Sequence, residues 1–202
     1  MFNTEAKIYD KFYTKKDYEG EVVELVSLLK GKSVVDVGCG TGRHAEELQK
    51  KGYDVFGVEP SAEMAAFAHA RGISVSSTYP PGRMFENAVV LFDVINFFPG
   101  LISELKKIHA VLTTGGRLIF DAWDSAEKTN LLSWSFRNGI GRIAYKRKRG
   151  NRVDVKFFFF PSFIYSHHVL FVHSADELKN LTNSAGFAFI AKEGKWWVFQ
   201  KR

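Results

Sequence analysis

Three closely spaced glycines and two acids are the residues of this chain best suited to bind a ligand. Gly38, Gly40 and Gly42 follow an apolar run that contains Asp36. Glu59 stands nineteen residues beyond Gly40, at the end of a second apolar run. Glycines allow the positive φ of a tight turn and the close approach of a ligand to the backbone. A carboxylate at the tip of the neighbouring strand is placed to accept hydrogen bonds from both hydroxyls of a ribose. The pattern therefore predicts a site for a nucleoside cofactor.

The spacing of the glycines distinguishes two classes of cofactor. Dinucleotide-binding enzymes use Gly-x-Gly-x-x-Gly, in which the third glycine lets the helix pack close to a pyrophosphate. Here the third glycine comes one residue earlier, and Arg43 follows it. With Asp36 in front, the run reads Asp-x-Gly-x-Gly-x-Gly and resembles motif I of the class I S-adenosylmethionine (SAM) methyltransferases. The resemblance implies that the amino-acid end of SAM lies against the glycine turn and that its ribose meets Glu59.

The elements that must position these residues alternate between short apolar runs and stretches of helical spacing over the first 122 residues. Strands are predicted near 33–37, 54–58, 73–77, 88–92 and 117–122, and helices near 21–30, 43–51, from 61 and over 101–112. This order predicts an α/β fold: a Rossmann-like, doubly wound sheet of seven mainly parallel strands in one domain over 1–202. Ligands bind such sheets at the carboxyl ends of the strands. Those ends hold Asp36–Gly42, Glu59, Thr78–Tyr79, Phe92–Asn96 and Trp123.

Residues 124–172 change to a β-like pattern and are predicted to form an antiparallel insertion over the acceptor site. Four consecutive phenylalanines, 157–160, precede Pro161-Ser162 and are predicted to be buried on both faces. Residues 137–156 carry eight cationic side chains against one acid, Asp154. This basic stretch suits the phosphates of a nucleotide-linked acceptor or a nucleic acid, and a solvated turn between two strands is an equally open alternative.

A closer resemblance covers nearly the whole chain. The segments Tyr9–Tyr13, Lys16–Tyr18, 91–98 and 112–121 resemble the sugar-nucleotide amino-group methyltransferases and their small-molecule relatives. The resemblance implies that Asp36 orders the glycine turn, that Pro60 and Met64 lie beside adenine, and that Tyr9 and Tyr18 close over the cofactor. The cofactor-binding residues expected in this way are Tyr9, Tyr18, Asp36, Gly38, Cys39, Gly40, Gly42, Glu59, Pro60, Met64, Leu91, Phe92 and Asn96.

Catalysis is expected to depend mainly on alignment, because the sulfonium of SAM already activates the methyl group. A general base is optional when the acceptor is an amine. His167 and His168 are adjacent on a predicted strand, so only one of them can point into the cleft. The prediction is His167, as a base and a substrate contact. Tyr13 and Trp123 are predicted to wall the acceptor pocket, with Tyr13 among the catalytic residues.

Composition narrows the class of protein further. The 202 residues carry a net charge of +6, one cysteine and no apolar run of 18 residues. This argues against a membrane-spanning segment, a disulfide framework and a cysteine-rich zinc site. A cytoplasmic enzyme is expected, with SAM as cofactor, no metal and a small-molecule acceptor, anionic if it is a nucleotide-linked sugar. A homodimer is an open alternative to a monomer.

The competing hypothesis is a degenerate SAM-binding protein that acts on nucleic acid or a protein partner through the basic stretch 137–156. Nucleic acid is the less favoured partner, because the segment after strand four reads Asp93-Val94-Ile95-Asn96-Phe97. It lacks the Asn/Asp-Pro-Pro-aromatic signature with which nucleobase amino-methyltransferases hold a flipped base.

Overall fold

The computed structural model describes residues 6–123 and 132–202. The described chain forms six α-helices, one short 3-10 helix and eleven strands. The helices are α1 (Ala6–Phe12), α2 (Tyr18–Val26), α3 (Arg43–Lys50), α4 (Ala62–Ala70), α5 (Leu101–Val111) and α6 (Ala175–Ser184), and the 3-10 helix is Val94–Phe97. The strands are β1 (Ser33–Val37), β2 (Asp54–Val58), β3 (Ser74–Ser76), β4 (Phe85–Val90), β5 (Leu112–Phe120), β6 (Leu132–Arg137), β7 (Ile140–Arg149), β8 (Arg152–Phe160), β9 (Ile164–Phe171), β10 (Phe187–Glu193) and β11 (Trp196–Lys201).

Seven strands form the main sheet in the order β10-β11-β5-β4-β1-β2-β3. Five neighbouring strands of this sheet, β5, β4, β1, β2 and β3, run parallel to one another. Strand β11 pairs antiparallel with β5. The predicted doubly wound, mainly parallel sheet is therefore confirmed. The strand order reverses between β1 and β4, which is where open sheets of this kind bind ligands.

Both faces of the main sheet are covered by helices. Alternate residues of a strand point to opposite faces, so Val35 and Val37 of β1 pack with α5 and α6. Val34 of the same strand packs on the other side, with α2, α3 and α4. This two-sided burial explains why the parallel strands read as continuous apolar runs.

Two helix boundaries differ from the predicted ones. The helix expected at 21–30 begins at Tyr18, because the side chain of Asp17 accepts a hydrogen bond from the backbone N–H of Gly20 at 2.8 Å and caps it. It ends at Val26. The short helix α1 lies ahead of it and was not among the predicted elements. No described helix is long and apolar enough to cross a membrane.

The four strands β6 to β9 form a second, antiparallel sheet, here called the cap sheet. Residues 124–131 of the predicted insertion lie outside the described residues. One face of the cap sheet, its inner face, packs Phe157 and Phe159 towards α1 and the main domain. The opposite, outer face carries Phe158 and Phe160, and Phe160 is 36% exposed. The prediction that all four phenylalanines are buried on both faces is therefore wrong for the outer face.

Candidate functional site

The glycine turn after β1 has the backbone that only glycine adopts readily. Gly38, Gly40 and Gly42 have φ values of +73°, +57° and +81°. The N–H of Gly38 donates to the carbonyl of Val58 at 2.7 Å, which fixes the turn to the end of β2. A Cβ at Gly40 would project into open space that belongs to a large cavity. The turn thus leaves room for a ligand against the backbone and fits SAM.

Gly42 has a different role from the predicted one. A Cβ at this position would lie 2.8 Å from the Cβ of Ala68 on α4. Gly42 is not among the residues that line the cavity. The prediction that it contacts the cofactor needs correction, because its missing side chain lets α3 and α4 pack closely instead.

Glu59 joins the turn to the neighbouring strand end. One carboxylate oxygen accepts from the backbone N–H of Gly40 at 3.0 Å, and the other accepts from the N–H of Ser61 at 2.7 Å. Burial raises the pKa of Glu59, and these two hydrogen bonds oppose the rise. Each carboxylate oxygen has a further lone pair, which leaves acceptors for a ribose diol. Pro60 and Met64 line the same part of the cavity.

Asp36 and Cys39 complete the floor of the cavity. Asp36 is buried, and burial together with the charge of Glu59 raises its pKa to about 7. Burial also raises the pKa of the Cys39 thiol. A protonated thiol is a weak nucleophile, so Cys39 acts as a small residue in the turn. Val58 and Leu91 provide apolar floor beside them.

Phe92 and Asp93 follow β4 in a strained conformation. Both have positive φ, +62° and +61°, although neither is glycine. The Asp93 N–H donates to the carboxylate of Asp121 at 3.0 Å and stabilises this conformation. Such strain persists where the surrounding structure requires it, and it is enriched at functional sites. The ring of Phe92 faces the cavity and meets the ring of Tyr13, with centroids 5.1 Å apart.

Helix α1 roofs the cofactor side of the cavity. Tyr9 and Tyr13 line the cavity and pack on each other, with centroids 4.7 Å apart. Asp10 holds the helix down, because its carboxylate accepts from Arg43 at 2.8 Å and from Arg71 at 3.0 Å. Burial would raise the pKa of Asp10, but the hydrogen bonds and charges of the two arginines hold it below its ordinary value.

Tyr18 lines the cavity beside an ionic cluster at the start of α2 and α3. Its ring packs edge-on against His44, with centroids 4.8 Å apart. Glu21 contacts His44 Nε2 at 2.7 Å and pairs with the ammonium groups of Lys16 and Lys195. Burial opposes ionisation of Glu21, yet these partners lower its pKa. The cluster fixes the chain that leads from α1 to the main domain.

The inner face of the cap sheet forms the opposite wall of the cavity, whose volume is about 870 Å³. This size lies in the range typical of ligand sites. Trp123 and Phe97 line the cavity beside this wall with His168, and the role of Trp123 as a substrate contact stays a prediction. The remaining cap-sheet residues on the wall are Ser133, Arg142, Ala144, Lys146, Val155, Phe157, Phe159 and Leu170.

Of the two adjacent histidines of β9, His168 lines the cavity and His167 does not. His167 lies on the outer face of β9, where its Nε2 contacts Asp154 at 3.0 Å. The prediction of His167 as base and substrate contact is therefore wrong, although the alternation argument itself was correct. His168 is 3% exposed, and its Nε2 lies 3.1 Å from the hydroxyl of Ser166. Burial lowers the pKa of His168 to about 4, so its ring is neutral near pH 7.

Asn96 also departs from its predicted role. Its side-chain oxygen accepts from the N–H of Trp123 at 2.8 Å, and its amide donates to the carbonyl of Phe171 at 2.8 Å. Asn96 is not among the residues that line the cavity. It therefore positions Trp123 and the end of the cap sheet, and it is not a cofactor contact.

One cavity wall includes Glu104 and Lys107 of α5, which the sequence pattern does not single out, beside Tyr79, which it places at a strand end. The Tyr79 hydroxyl donates to Glu104 of α5 at 2.7 Å, and Lys107 donates to the same carboxylate at 2.8 Å. All three residues line the cavity near Ser77 and Thr78. An apolar stripe had placed α5 against the sheet, but nothing in the pattern indicated that its first turn reaches the site.

The sequence of this chain is similar to those of known methyltransferases. Residues 13–192 match a family model described as a methyltransferase domain. The chain is 28% identical over 179 residues to dTDP-3-amino-3,4,6-trideoxy-alpha-D-glucopyranose N,N-dimethyltransferase of Streptomyces venezuelae, covering 75% of this chain and 74% of that protein. It is 29% identical over 134 residues to dTDP-3-amino-3,6-dideoxy-alpha-D-glucopyranose N,N-dimethyltransferase of Streptomyces fradiae, covering 58% of this chain and about half of that protein, 52%.

Solved structures share the fold over nearly the full chain. The crystal structure of Streptomyces venezuelae DesVI superposes with a TM-score of 0.83 at 24% identity and covers 98% of both chains. SAM-bound CalS10, an amino pentose methyltransferase from Micromonospora echinaspora, superposes with a TM-score of 0.79 at 19% identity, covering 100% of this chain and 98% of that one. At these identities the superpositions show the fold.

Proposed function

The chain belongs to the methyltransferase-domain family and depends on SAM, and from this premise we propose that it methylates the amino group of a nucleotide-linked amino sugar. The cavity supports this proposal, because the cofactor turn and the inner face of the cap sheet enclose one continuous space. Its floor carries Asp36 and Glu59, and its cap-side wall carries Arg142, Lys146 and His168. The two curated relatives described above are named for N-methylation of dTDP-linked amino sugars.

The residues divide between cofactor and acceptor. The turn at Gly38–Gly40 and the carboxylate of Glu59 would hold SAM, which supplies an activated methyl group when bound. Tyr13, Phe92 and Trp123 line the space above the turn, where their rings would exclude water and orient an acceptor. Such positioning is worth about 7–11 kcal/mol of the barrier in well-oriented reactions.

His168 is the group best placed to accept a proton from the acceptor amine. An amine must lose one proton to become a nucleophile or after methylation, and a neutral imidazole can accept it. His168 is neutral because burial lowers its pKa, and the rings of Phe97 and Phe157 pack around it at 5.9 and 5.6 Å between centroids. Burial thus keeps the imidazole neutral at pH 7, and the same lowered pKa makes it a weak base.

A panel of acceptors tests the proposal. We expect purified protein with SAM to methylate dTDP-linked 3-amino sugars and to release S-adenosylhomocysteine, detected by mass spectrometry. The same sugars with a hydroxyl in place of the amino group are the matched control and should not react. Methylation of an unrelated acceptor class, with no reaction of any nucleotide-linked amino sugar, would reject the acceptor proposal while leaving the methyltransferase assignment intact.

The alternative of a nucleic-acid partner is less well supported by the cap sheet. The basic stretch 137–156 does not form one surface, since strand alternation sends Arg142 and Lys146 into the cavity and Arg147 and Lys156 outward. Arg152 is paired with Asp154 at 2.9 Å. Dispersal of the cations over two faces weakens the continuous positive patch that nucleic-acid binding needs.

A second part of the proposal is that two copies of the chain associate through the outer face of the cap sheet. One row across the four strands, Trp134, Ile143, Phe158 and Tyr165, is entirely uncharged. Trp134 is 80% exposed. Monomers rarely expose contiguous apolar patches of this kind. A second copy suits this row better than a nucleic acid, because the row itself carries no cation, and Lys156 and Arg147 lie beyond it on the same face.

A further inference from the structure

Arg142 is a partly buried cation without an anion. Its guanidinium lies on the inner face of the cap sheet between two aromatic rings, with Cζ 4.7 Å from the ring centre of Phe12 and 5.0 Å from that of Phe157. One Nη donates to the hydroxyl of Tyr13 at 2.7 Å. Its Nε is buried and has no hydrogen-bond partner within the described ranges. No carboxylate of those ranges forms a salt bridge with Arg142.

The two rings pack against the flat faces of the guanidinium, but most of its positive charge remains uncompensated. Guanidinium has five N–H donors and stays protonated, so removing it from water is costly unless an acceptor is supplied. Two ring faces recover part of that cost through cation–π contact, and they also fix the plane of the group. One neutral hydroxyl uses one donor. The remaining donors of a group that lines the cavity are available to a ligand.

The neighbouring cations of β7 differ from Arg142 in the face they occupy or in their surroundings. Arg147 lies on the same strand but on the opposite, outer face. Lys146 shares the inner face with Arg142, four residues or roughly 13 Å farther along the strand, and its ammonium lies 3.6 Å from the ring centre of Trp123. Arg43 also lines the cavity, but it is paired with Asp10. Among the described residues, Arg142 is therefore the guanidinium of the cavity wall that is rigidly held and has no acid beside it.

We infer that Arg142 is the specificity-determining residue that binds the anionic part of the acceptor, through a bidentate contact with a phosphate. The inference rests on the proposed function, because it assigns an anion to the acceptor of the same site. A planar guanidinium matches two phosphate oxygens, which adds both strength and orientation. The contact selects acceptors that carry a phosphate and turns the rest of the molecule towards the cofactor side of the cavity.

Substitution of Arg142 with glutamine tests the inference, with Arg147→Gln as the matched control on the outer face. For Arg142→Gln we expect at least a tenfold rise in KM for a nucleotide-linked amino sugar. The KM for the same amino sugar without its nucleotide, and the Kd for SAM, should be unchanged. Arg147→Gln should alter none of these values. An equal loss on both acceptors, or no loss on either, would overturn the inference.

A binding measurement separates this inference from the proposed acceptor. Calorimetry with thymidine diphosphate needs no methyl transfer, and we expect Arg142→Gln to weaken that binding at least tenfold. Arg142→Lys keeps the positive charge but cannot form a bidentate contact. It should weaken the binding of thymidine diphosphate by a smaller factor while retaining the wild-type melting temperature. If the wild-type protein methylates amino sugars but Arg142→Gln and Arg142→Lys bind thymidine diphosphate as tightly as it does, the anion contact is wrong. If wild-type binding is intact and no amino sugar reacts, only the proposed acceptor fails.

Discussion

At the scale of single residues, one peptide bond separates a residue in the cavity from one on the surface. His168 lies inside, and His167 lies on the outer face beside Asp154. The pair makes an internal control, since the two side chains share a strand and a chemical type. A role in the reaction and a role in stability can therefore be told apart by changing each histidine alone.

We expect His168→Gln to lower kcat/KM by about a hundredfold, the low end of the usual effect of a general base. His167→Gln should leave kcat/KM within twofold, because it removes only an exposed contact. Burial lowers the pKa of His168 to about 4, so the neutral form is present above that value and is lost as pH falls through it. The rate should then show no histidine titration between about pH 6 and 8. A pH profile of both variants and the wild type checks this, and equal losses in the two variants would contradict it.

Glu59 is expected to determine cofactor affinity. Its two carboxylate oxygens hold the N–H groups of Gly40 and Ser61, so its loss both removes a ribose acceptor and loosens the turn. Glu59→Ala should weaken SAM binding at least tenfold, or about 1.4 kcal/mol. Calorimetry measures the affinity, and Glu63→Ala, an acid on the first turn of α4 that does not line the cavity, is the control. Unchanged affinity in Glu59→Ala would refute the ribose contact.

At the scale of elements, the cofactor half of the site was more predictable than the acceptor half. The turn at Gly38–Gly42 and the acid Glu59 follow from local chemistry, since glycine conformations and strand ends are set within a few residues. The open, mainly parallel sheet followed from short connections between apolar runs and helical stretches, whereas the strand order was not predicted. The role of Gly42 could not be read in this way, because it depends on the approach of α4 to α3, which is a tertiary contact.

The cap sheet was predictable in type but not in register. Period-two alternation indicates that adjacent residues face opposite ways, yet which set faces inward depends on the pairing with the rest of the fold. The choice of His167 over His168 was wrong for this reason. The four phenylalanines were misread similarly, because a continuous apolar run is typical of burial on both faces, whereas the outer face here is exposed.

Helix α1 is expected to control the exchange of the cofactor. It roofs the cavity with Tyr9 and Tyr13, and Asp10 holds it to Arg43 and Arg71 through a largely buried ion pair. Arg71 also donates to the carbonyl of Thr41 in the glycine turn at 2.8 Å. Removal of one partner of a buried pair leaves an uncompensated charge and is strongly destabilising locally. The roof should therefore open more often when Asp10 is changed.

Asp10→Asn should raise the dissociation rate of S-adenosylhomocysteine about tenfold and leave the melting temperature within a few degrees. Stopped-flow displacement measures the rate. Lys7→Gln, on the exposed side of the same helix, is the control and should match the wild type. The pKa of Asp10 is lowered in the folded chain, so the ion pair is fully formed above the ordinary aspartate pKa of about 4 and is lost only as pH falls through the lowered pKa. A dissociation rate that Asp10→Asn does not change would show that α1 is not the gate.

At the scale of the whole molecule, the two sheets form different parts of the cavity. The main sheet offers a cofactor floor built from backbone and acids, and the cap sheet offers aromatic and cationic side chains on its inner face. The same cap sheet presents an uncharged row of three aromatic residues and one isoleucine to the outside. The cap sheet forms a site with its inner face and exposes rings on its outer face. Association of two copies would make this sheet more rigid, since an exposed sheet edge and an exposed apolar face are unfavourable in water.

We expect the wild-type chain to sediment as a dimer at micromolar concentrations and Trp134→Glu to shift it to a monomer. Trp134 sits in the uncharged row with Ile143 and Tyr165, so a carboxylate at this position would be buried in an apolar interface without a partner, at a cost of several kcal/mol. Ile190→Glu is the control, because Ile190 is a half-exposed apolar residue of β10 on the main sheet. Sedimentation velocity over a range of concentrations distinguishes the states. A monomeric wild type would reject the dimer, and a dimer that survives Trp134→Glu would place the contact outside this row of the cap sheet.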